Sequence, residues 1–395
     1  MVQKMAPLNG TFCSENTQRK ENCRGSEMFD IVIGNPPYGA TLSYKEKQYC
    51  KQRYKLKTSE TAILFIEKGL RLCKKDGINA YVIPKPFTYA SNYEKTRSFV
   101  EMELQYLIDC GRLFENVKFE ACVIFLLKNK NITEYKSFSY VNKKITFIGN
   151  IHKKLKTKFG FFPNGITEKE ATIGIKIKDN SIFLNDIADN SRGDMFQKCI
   201  QQNGKLPVIG GKEIDSYGIN GVKGFLDTDT FISEKAVIKH HSILVQNIVA
   251  HTTKPYSRIK ITACIPNRMD YLIVDTINQI TITDKNIDKK IVWALLNSTL
   301  VNWYAYLFIF AKAIRTMHFD NFVTSRIPIP NRILEYQQLI INIINSKIDN
   351  MELENEIDMI VYKLYDLTYD EVKIIDKNFF LTSEEYQQLS LIDFQ

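Results

Sequence analysis

The sequence lacks several features that mark common protein classes. Its eight cysteines include no Cys-x-x-Cys pair, which argues against a zinc site or a disulfide framework and favours reduced thiols in a cytoplasmic protein. No run of about 18 apolar residues is present, so no membrane span is expected. Residues 1–28 are polar and lack the pattern of a secretory signal, and we interpret them as a loose leader. The five histidines show no ligand spacing, so no metal site is predicted.

The composition is that of a globular protein with a mildly basic charge. Of the 395 residues, 44% are hydrophobic and 25% are charged, which excludes a disordered or collagen-like chain. At roughly 100–200 residues per domain, this length predicts two or three domains. The formal net charge of +9 permits a polyanionic partner without requiring one.

Residues 29–135 have the alternating pattern of an α/β domain. Short apolar runs that end in turns predict buried strands, and apolar residues at helical spacing predict the helices between them. Thr58 or Ser59 can begin the first helix, and the segment Lys74–Gly77 can end it. The predicted order is a strand at 29–34, a helix from Ala62 to Cys73, a strand at 78–83, a helix at 93–102, and strands at 104–110 and 122–127.

The remainder of the chain has a different texture. Residues 150–330 carry glycine-rich turns and short alternating segments such as Thr172–Ile177, which predict an irregular, β-rich domain. Within it, Ile291–Phe310 is apolar enough for a buried helix, and Pro328 and Pro330 mark a boundary. Residues 331–395 show helical apolar spacing and predict a helical tail.

The segment Asn35-Pro36-Pro37-Tyr38 carries the clearest chemical signal. It directly follows a predicted strand, and ligands of open α/β sheets bind beyond the carboxyl ends of strands. The Asn35 side-chain oxygen and the Pro36 carbonyl can each accept one N–H of a planar amine, which frees the nitrogen lone pair for attack. Proline fixes the direction of its carbonyl, and Tyr38 offers a flat face for an extruded base. A bare Asn-Pro pair is usually a surface turn, but the whole run from Phe29 to Gly39 favours amine binding.

This run resembles motif IV of the N6-adenine DNA methyltransferases, and its continuation resembles the TaqI-like branch and the methyltransferase part of type IIG restriction–modification enzymes. Asp76–Pro84 is similar to the segment that follows in that family, and Phe114 with Cys122–Phe125 is similar to its closing strands. The resemblance implies that Asn35, Pro36, Pro37 and Tyr38 are catalytic and that Tyr38 and Tyr93 stack the base. It also implies S-adenosylmethionine as methyl donor and duplex DNA as substrate.

The second region resembles the target-recognition domain of TaqI-like enzymes. The matching segments are Leu295–Ser298 with Trp303-Tyr304, Ile327–Pro330, and Ile357–Leu367 in the tail. A basic stretch in this region makes phosphate contact plausible, although a solvated lysine-rich surface would look the same. The candidate DNA-binding residues are Lys239, Lys254, Arg258, Lys260 and Arg315.

The main donor-binding motif of this family is not recognisable in the sequence. In the family order it precedes motif IV, and no strand followed by a Gly-x-Gly turn occurs before Phe29. We therefore expect a partial Rossmann-like sheet with one uncovered edge, completed by an amino-terminal methyltransferase half or another restriction–modification subunit. The residues that bind the donor cannot be assigned from the sequence.

The sequence thus predicts a site-specific, adenine-specific DNA methyltransferase of a restriction–modification system, which needs no metal for methyl transfer. One alternative is an inactive DNA-binding specificity subunit or a gene remnant. Another is a methyltransferase that acts on RNA or on protein glutamine, because the same motif suits any planar amine. The fold class expected is α/β, with a partial Rossmann-like sheet, a mixed β-rich recognition domain and a helical tail.

Overall fold

The computed structural model describes residues 29–113, 120–227, 231–254, 256–314, 317–346 and 351–391. Its first part is a mixed six-stranded sheet with the strand order β1-β2-β4-β3-β5-β6. Strands β1, β2, β3 and β5 run in one direction, and β4 and β6 run in the other. The bounds are β1 Phe29–Gly34, β2 Cys73–Pro84, β3 Leu104–Gly111, β4 Ala121–Leu127, β5 Glu134–Val141 and β6 Lys144–His152.

Three helices accompany this sheet: α1 Tyr44–Arg53, α2 Thr61–Leu72 and α3 Glu94–Val100. Helix α2 lies against one face of β1 and β2, where its apolar residues are buried with Tyr81 and Ile83. Asn79 on β2 donates a hydrogen bond from its side-chain nitrogen to the carbonyl of Ile66 at 3.1 Å, whereas its buried Oδ1 has no hydrogen-bond partner among the described residues. This packing holds the carboxyl end of β1 above the start of α2.

The second part contains short strands arranged in small sheets. The sheets have the orders β14-β11-β16-β8, β10-β9-β15, β12-β13 and β17-β7. The strands are β7 Ser181–Phe183, β8 Ala188–Arg192, β9 Leu206–Ile209, β10 Gly224–Leu226, β11 Ser242–Gln246, β12 Ala250–Thr252, β13 Arg258–Lys260, β14 Ala263–Cys264, β15 Leu272–Ile273, β16 Ile277–Ile282 and β17 Pro328–Pro330. The helices are α4 Lys154–Phe159, α5 Glu168–Asp179, α6 Leu184–Ile187, α7 Lys289–Asn297, α8 Thr299–Phe308 and α9 Asn321–Thr324.

Four further helices form the tail: α10 Ile333–Ser346, α11 Met351–Leu364, α12 Tyr369–Ile375 and α13 Ser383–Gln388. Capping boxes begin α12 and α13, in which Thr368 pairs with Glu371 and Thr382 with Glu385. The main hydrophobic core contains buried residues from the first sheet, from α7 and α8, and from the tail. The tail therefore packs as part of the same body as the sheet.

The predicted fold class is confirmed, because a mixed α/β sheet is followed by a mixed β-containing region and a helical carboxyl terminus. The predicted strands and helices between residues 29 and 127 are present with small shifts of their ends. The leader at 1–28 lies outside the described residues. The proposed domain boundaries stay predictions.

Four local predictions were wrong. Thr172–Ile177 lies in helix α5, because a Thr167–Glu170 capping box begins a helix there and its apolar residues face the core. Ile291–Phe310 is two helices, because Ser298 ends α7 and caps α8. The segment Lys74–Gly77 is already part of β2 and does not end α2 as a cap. Strand β1 forms but is not buried, because it lies at the edge of the described sheet.

Helices α7 and α8 meet at an angle of 65° and are largely buried. Within the described residues, no single helix is long and apolar enough to cross a membrane; this bent pair meets the requirement by length and composition only.

Asp358 on α11 provides a pH-dependent stability prediction. It lines a cavity of about 410 Å³ and accepts a hydrogen bond from the backbone N–H of Thr299 at 2.7 Å. Burial raises the pKa of Asp358 to about 7. The folded protein therefore keeps a proton that the unfolded chain releases near pH 4, so its stability decreases as the pH rises from about 4 to 7.

We expect Asp358→Asn to remove this pH dependence, because the amide oxygen can still accept from Thr299 while no charge is buried. The substitution should change the free energy of unfolding more favourably at pH 8 than at pH 5, with a difference of about 1–3 kcal/mol between the two pH values. Urea denaturation at both pH values measures this difference, with the exposed Asp370→Asn as control. An equal effect at pH 5 and pH 8 would contradict the assignment.

Candidate functional site

The carboxyl ends of β1, β2 and β3 lie at the same edge of the sheet, because these strands run in the same direction. Asn35 follows β1, Lys85 follows β2, and Asp109 lies near the end of β3. Open α/β sheets bind their ligands at this edge. The edge therefore gathers an amide, a cation and a carboxylate where a ligand of this fold class would lie.

Asn35 is exposed directly after β1, whereas Pro36 is buried. The motif is fixed on its other side by Thr61 at the start of α2, whose hydroxyl donates to the carbonyl of Pro37 at 2.5 Å. The turn is thus anchored by its proline backbone, and the Asn35 side chain remains accessible.

Tyr38 is half-buried and its hydroxyl lies between two acceptors. It is 2.6 Å from the carbonyl oxygen of Val82 on β2 and 2.9 Å from Oδ1 of Asn35. Burial, with a smaller contribution from the Cys122 thiol, raises the pKa of Tyr38 to about 12. The hydroxyl consequently keeps its proton at neutral pH and can donate to either acceptor. This geometry holds the phenol ring beside Asn35 and ties both to β2.

Tyr93 reaches the same neighbourhood through the start of α2. It is 8% exposed, its hydroxyl donates to Glu60, and its ring meets Phe87 edge-to-face at 6.0 Å. Burial, followed by the hydrogen bond to Glu60, raises its pKa. Glu60 directly precedes Thr61, so a short path of contacts joins Tyr93 to the motif. A base-stacking role for Tyr93 stays a prediction.

A buried charge cluster lies at the same edge and was not found from the sequence. Lys85 is buried and its Nζ is 2.7 Å from Asp109 and 3.2 Å from Glu120. Burial alone would lower the pKa of Lys85, but Asp109 and then Glu120 outweigh that effect and raise it. The cluster is therefore a compact arrangement of one ammonium and two carboxylates, largely excluded from water.

This cluster also holds a loop that follows α8. Lys85 Nζ donates to the carbonyl of Lys312 at 2.7 Å, and the backbone N–H of Ile314 donates to Glu120 at 2.8 Å. Ala311 and Lys312 have φ angles of 48° and 57°, a left-handed conformation that is costly for residues other than glycine. Such a conformation persists where its surroundings determine it, and here the charge cluster does so. The loop thereby joins the second region to the edge of the first sheet.

Three of the predicted DNA-binding residues lie on one hairpin. Lys254 is exposed in the turn between β12 and β13, and Arg258 and Lys260 lie on β13. The guanidinium of Arg258 stacks over the ring of Tyr256, with 5.3 Å between its carbon and the ring centroid. The hairpin therefore presents cations together with an aromatic ring, as a nucleic-acid surface requires.

The two other predicted DNA-binding residues do not join this hairpin. Lys239 is exposed before β11, and its backbone N–H donates to Gln279 at 2.8 Å. Because β12 follows the opposite end of β11, Lys239 and the hairpin lie at different ends of that strand. Arg315 lies outside the described residues. All five DNA-binding assignments stay predictions.

Residues 7–125 match the family model of the Eco57I restriction-modification methylases. The predicted resemblance to the methyltransferases of restriction–modification enzymes is thereby confirmed for the segment that contains β1, the Asn35 motif and the charge cluster. Among curated proteins, the type II restriction enzyme and methyltransferase RM.Eco57I of Escherichia coli is 33% identical over 114 residues. This match covers 26% of the present chain and 11% of RM.Eco57I.

Two other proteins are similar to this chain, one in sequence and one in fold. The adenine-specific methyltransferase BrxX of Escherichia coli O9:H4 (strain HS) is 27% identical over 77 residues, which cover 19% of this chain and 6% of BrxX. The structure of the type IIL restriction-modification enzyme MmeI in complex with DNA superposes with a TM-score of 0.52 at 10% identity. The superposition covers 92% of this chain and 57% of MmeI, and it shows similarity of fold alone. The matches thus span only a small part of the curated relatives.

Sequence reasoning missed Lys85, Asp109 and Glu120. One signal was available, since Lys85 follows the end of β2 and Asp109 lies near the end of β3, so strand direction alone brings them to the motif's edge. No local signal reveals the contacts of this cluster with the loop at 311–314. Those contacts join residues that are more than 190 positions apart in the chain.

Proposed function

We propose that this chain contributes the amine-binding part of a site-specific DNA methyltransferase in a cytoplasmic restriction–modification system. In this proposal, methyl transfer is directed to the N6 amine of an adenine that has been flipped out of duplex DNA. The observation that carries it is the exposed Asn35 carboxamide at the carboxyl end of β1, held beside the Tyr38 ring.

The chemistry follows from what these groups can accept. The amine of adenine is a poor nucleophile because its lone pair is delocalised into the ring. Hydrogen bonds from its two N–H groups to Asn35 Oδ1 and to the Pro36 carbonyl favour a pyramidal nitrogen and stabilise the positive charge that develops during attack. With a methyl donor bound, Asn35 and Pro36 would hold the nitrogen while it takes the methyl group from the donor, after which the nitrogen would lose one proton to solvent.

For the base to bind, the Tyr38 hydroxyl would keep its bond to Val82 and leave Asn35 Oδ1 to the substrate. The Tyr38 hydroxyl lies closer to Val82 than to Asn35, so it can give up its hydrogen bond to Asn35 without movement of the ring. The ring face could then stack on the purine, with Tyr93 as the proposed second aromatic residue. The hairpin with Lys254, Arg258 and Lys260 is the proposed phosphate-contacting surface.

S-adenosylmethionine is the proposed donor, and it would supply the methyl group on an electron-withdrawing sulfonium. None of the described residues forms a glycine-rich turn between a buried strand and a helix, so we assign none of them to donor binding. We propose that an amino-terminal methyltransferase half, or another subunit of the same system, provides those residues. The adenine specificity finds some support in the similarity to BrxX.

Methyl incorporation tests this function. The chain, with a donor-binding methyltransferase half supplied in trans, is incubated with S-adenosylmethionine labelled on its methyl group and with duplex DNA, RNA or protein. The proposal expects label in DNA only, recovered as N6-methyladenine after digestion to nucleosides. Label on cytosine, on RNA or on protein glutamine would contradict it. Duplex binding without any transfer would favour the non-catalytic specificity subunit.

A further inference from the structure

A cluster of positive charge follows the Asn35 motif along the chain. Residues 44–57 contain six cations and one carboxylate, which gives this segment a net charge of +5, against +9 for the whole chain. The cations are Lys45, Lys47, Lys51, Arg53, Lys55 and Lys57. All six are exposed, and none of them forms an ion pair with a carboxylate of the residues that the structure describes. Three of them, Lys45, Lys47 and Lys51, lie on α1.

Helix α1 has two contrasting faces. Glu46, Cys50 and, just beyond the last turn, Tyr54 are four residues apart and share one side, where Cys50 is buried and the other two are partly buried. The opposite side, the outward face, is fully exposed and consists of Tyr44, Lys45, Gln48, Tyr49, Lys51 and Gln52. It thus combines cationic, amide and aromatic side chains and contains no carboxylate. Side chains of these kinds contact the phosphates and bases of nucleic acids.

Contacts at its two ends hold α1 in place. A capping box begins the helix, in which the backbone N–H of Ser43 donates to Glu46 at 2.7 Å. After the last turn, the backbone N–H groups of Lys55 and Leu56 donate to the buried carboxylate of Glu67 on α2, at 2.8 Å and 3.1 Å. A helix of this length is marginal in water by itself, and α1 buries a single side chain. Its position is therefore fixed by these end contacts while its surface stays open.

The charges of α1 destabilise the helix when it stands alone. Lys47 and Lys51 are four residues apart, and like charges at this spacing repel each other on a helix. The carboxylate of α1, Glu46, lies on the side of Cys50 and is hydrogen-bonded to Ser43. Same-sign charges on a helix that is held in a defined position indicate a polyanionic partner, because such a partner supplies the counter-charge that the described residues do not.

The position of α1 indicates which polyanion fits. The chain leaves the motif after Tyr38, forms α1, and returns to the motif at Thr61, whose hydroxyl contacts the carbonyl of Pro37. Tyr44 is six residues beyond Tyr38, so their Cα atoms are at most about 21 Å apart. An extruded adenosine stays attached to its strand, whose phosphates recur about every 3.4 Å along the duplex axis. Several phosphates beside a base held at the motif are therefore within reach of α1.

We infer that α1 binds the phosphates of the target strand next to the extruded adenine, with Lys45, Lys47 and Lys51 as the contacting cations. An acidic polypeptide fits this position less well, because its carboxylates would lie against the phosphates of DNA held at the motif. The inference rests on the proposed function and adds to it a second DNA-contacting surface, separate from the β12–β13 hairpin. The hairpin would hold the duplex, whereas α1 would hold the backbone from which the base is extruded.

The salt dependence of duplex binding tests the inference. The full chain is titrated against a fluorescein-labelled DNA duplex at several salt concentrations, and the logarithm of the affinity is plotted against the logarithm of the salt concentration. Each phosphate contact contributes about 0.9 to the slope of this plot, so the triple variant Lys45→Gln, Lys47→Gln and Lys51→Gln should reduce the slope by about 2–3. Glutamine also favours helix, so far-ultraviolet circular dichroism should show an unchanged fold.

A matched control and a mapping experiment complete the test. The control variant Lys74→Gln, Lys75→Gln and Lys130→Gln removes the same charge from exposed lysines at the opposite edge of the sheet and should change the slope by less than about 0.5. For mapping, a photoreactive benzophenone side chain is introduced at Gln48 on the outward face. Once methyl incorporation has located the target adenine, crosslinks should fall within about six nucleotides of it, the span set by the distance between Tyr38 and Tyr44.

Three results would overturn the inference: an unchanged slope in the α1 variant, an equal reduction in the control variant, and crosslinks confined to nucleotides far from the target adenine. An unchanged slope would leave the cations of α1 to an acidic polypeptide. Failure of the proposed function is separate, because it is measured by methyl incorporation. A reduced slope without N6-methyladenine would leave the DNA-contacting surface standing and remove the activity, whereas N6-methyladenine with an unchanged slope would do the reverse.

Discussion

Asn35→Ala is expected to reduce the rate of methyl transfer by about 10²–10³-fold, the loss typical when one preorganised group that stabilises developing charge is removed. Asn35 is exposed and lies outside β1, so the fold should tolerate the change. Its side-chain oxygen is one of two acceptors proposed for the adenine amine. The rate is measured under single-turnover conditions with labelled S-adenosylmethionine and the donor-binding half in trans.

Two further measurements distinguish a catalytic role of Asn35 from a role in DNA binding or from a nonspecific effect of substitution. Affinity for duplex DNA should change by less than about threefold, because the proposed phosphate contacts of the β12–β13 hairpin, and not Asn35, would supply most of that binding. Asn203→Ala, at an exposed asparagine in a distant loop, should leave the transfer rate unchanged. Retention of the rate by Asn35→Ala, or an equal loss with Asn203→Ala, would refute the role assigned to Asn35.

Lys85→Met is expected to lower the free energy of unfolding by about 3–5 kcal/mol, because it leaves two largely buried carboxylates without their cation. Lys85 also donates to the carbonyl of Lys312, so the loop at 311–314 loses one of its two anchors at the sheet edge. Urea denaturation followed by circular dichroism measures the loss. The exposed Lys75→Met serves as the matched control and should change stability by less than about 0.5 kcal/mol.

Restoring charge balance should recover part of this stability. A triple variant that combines Lys85→Met with Glu120→Gln and Asp109→Asn leaves no unpaired charge at the cluster. The triple variant should therefore be more stable than Lys85→Met alone, because a buried cluster can be replaced by neutral groups at lower cost than it can be left half-paired. If the triple variant is no more stable than the single one, packing of the Lys85 side chain, and not the ion pairs, dominates.

The parts of the fold that were predicted depend on local signals. The apolar run of β1 is followed by a turn within four residues, and the apolar spacing of α2 extends over about three helical turns. Short windows of sequence therefore suffice to predict both elements. Thr172–Ile177 was wrongly predicted as a β-type segment, because over so few residues an alternating apolar pattern cannot be distinguished from a helical one. The capping box at Thr167 was the better guide, since it specifies where a helix begins.

The parts that could not be predicted depend on distant contacts. Lys85 reads as an ordinary lysine beside a proline, and only the pairing of Pro84 with Ala121 brings Glu120 close to it. Likewise, the sequence marks Ile31 and Ile33 as apolar but does not say that the face they share stays open. That depends on which helices cross the sheet, and the described helix beside β1 and β2, α2, lies on the opposite face.

The central claim is that Asn35 holds the exocyclic amine of an adenine, and one comparison of affinities tests it most directly. Once methyl incorporation has located the target site, the assembled protein is titrated with two duplexes that carry either adenine or unsubstituted purine there. The wild type should prefer the adenine duplex by about tenfold, the worth of one or two hydrogen bonds, and Asn35→Ala should lose most of that preference. An undiminished preference in Asn35→Ala would contradict the account.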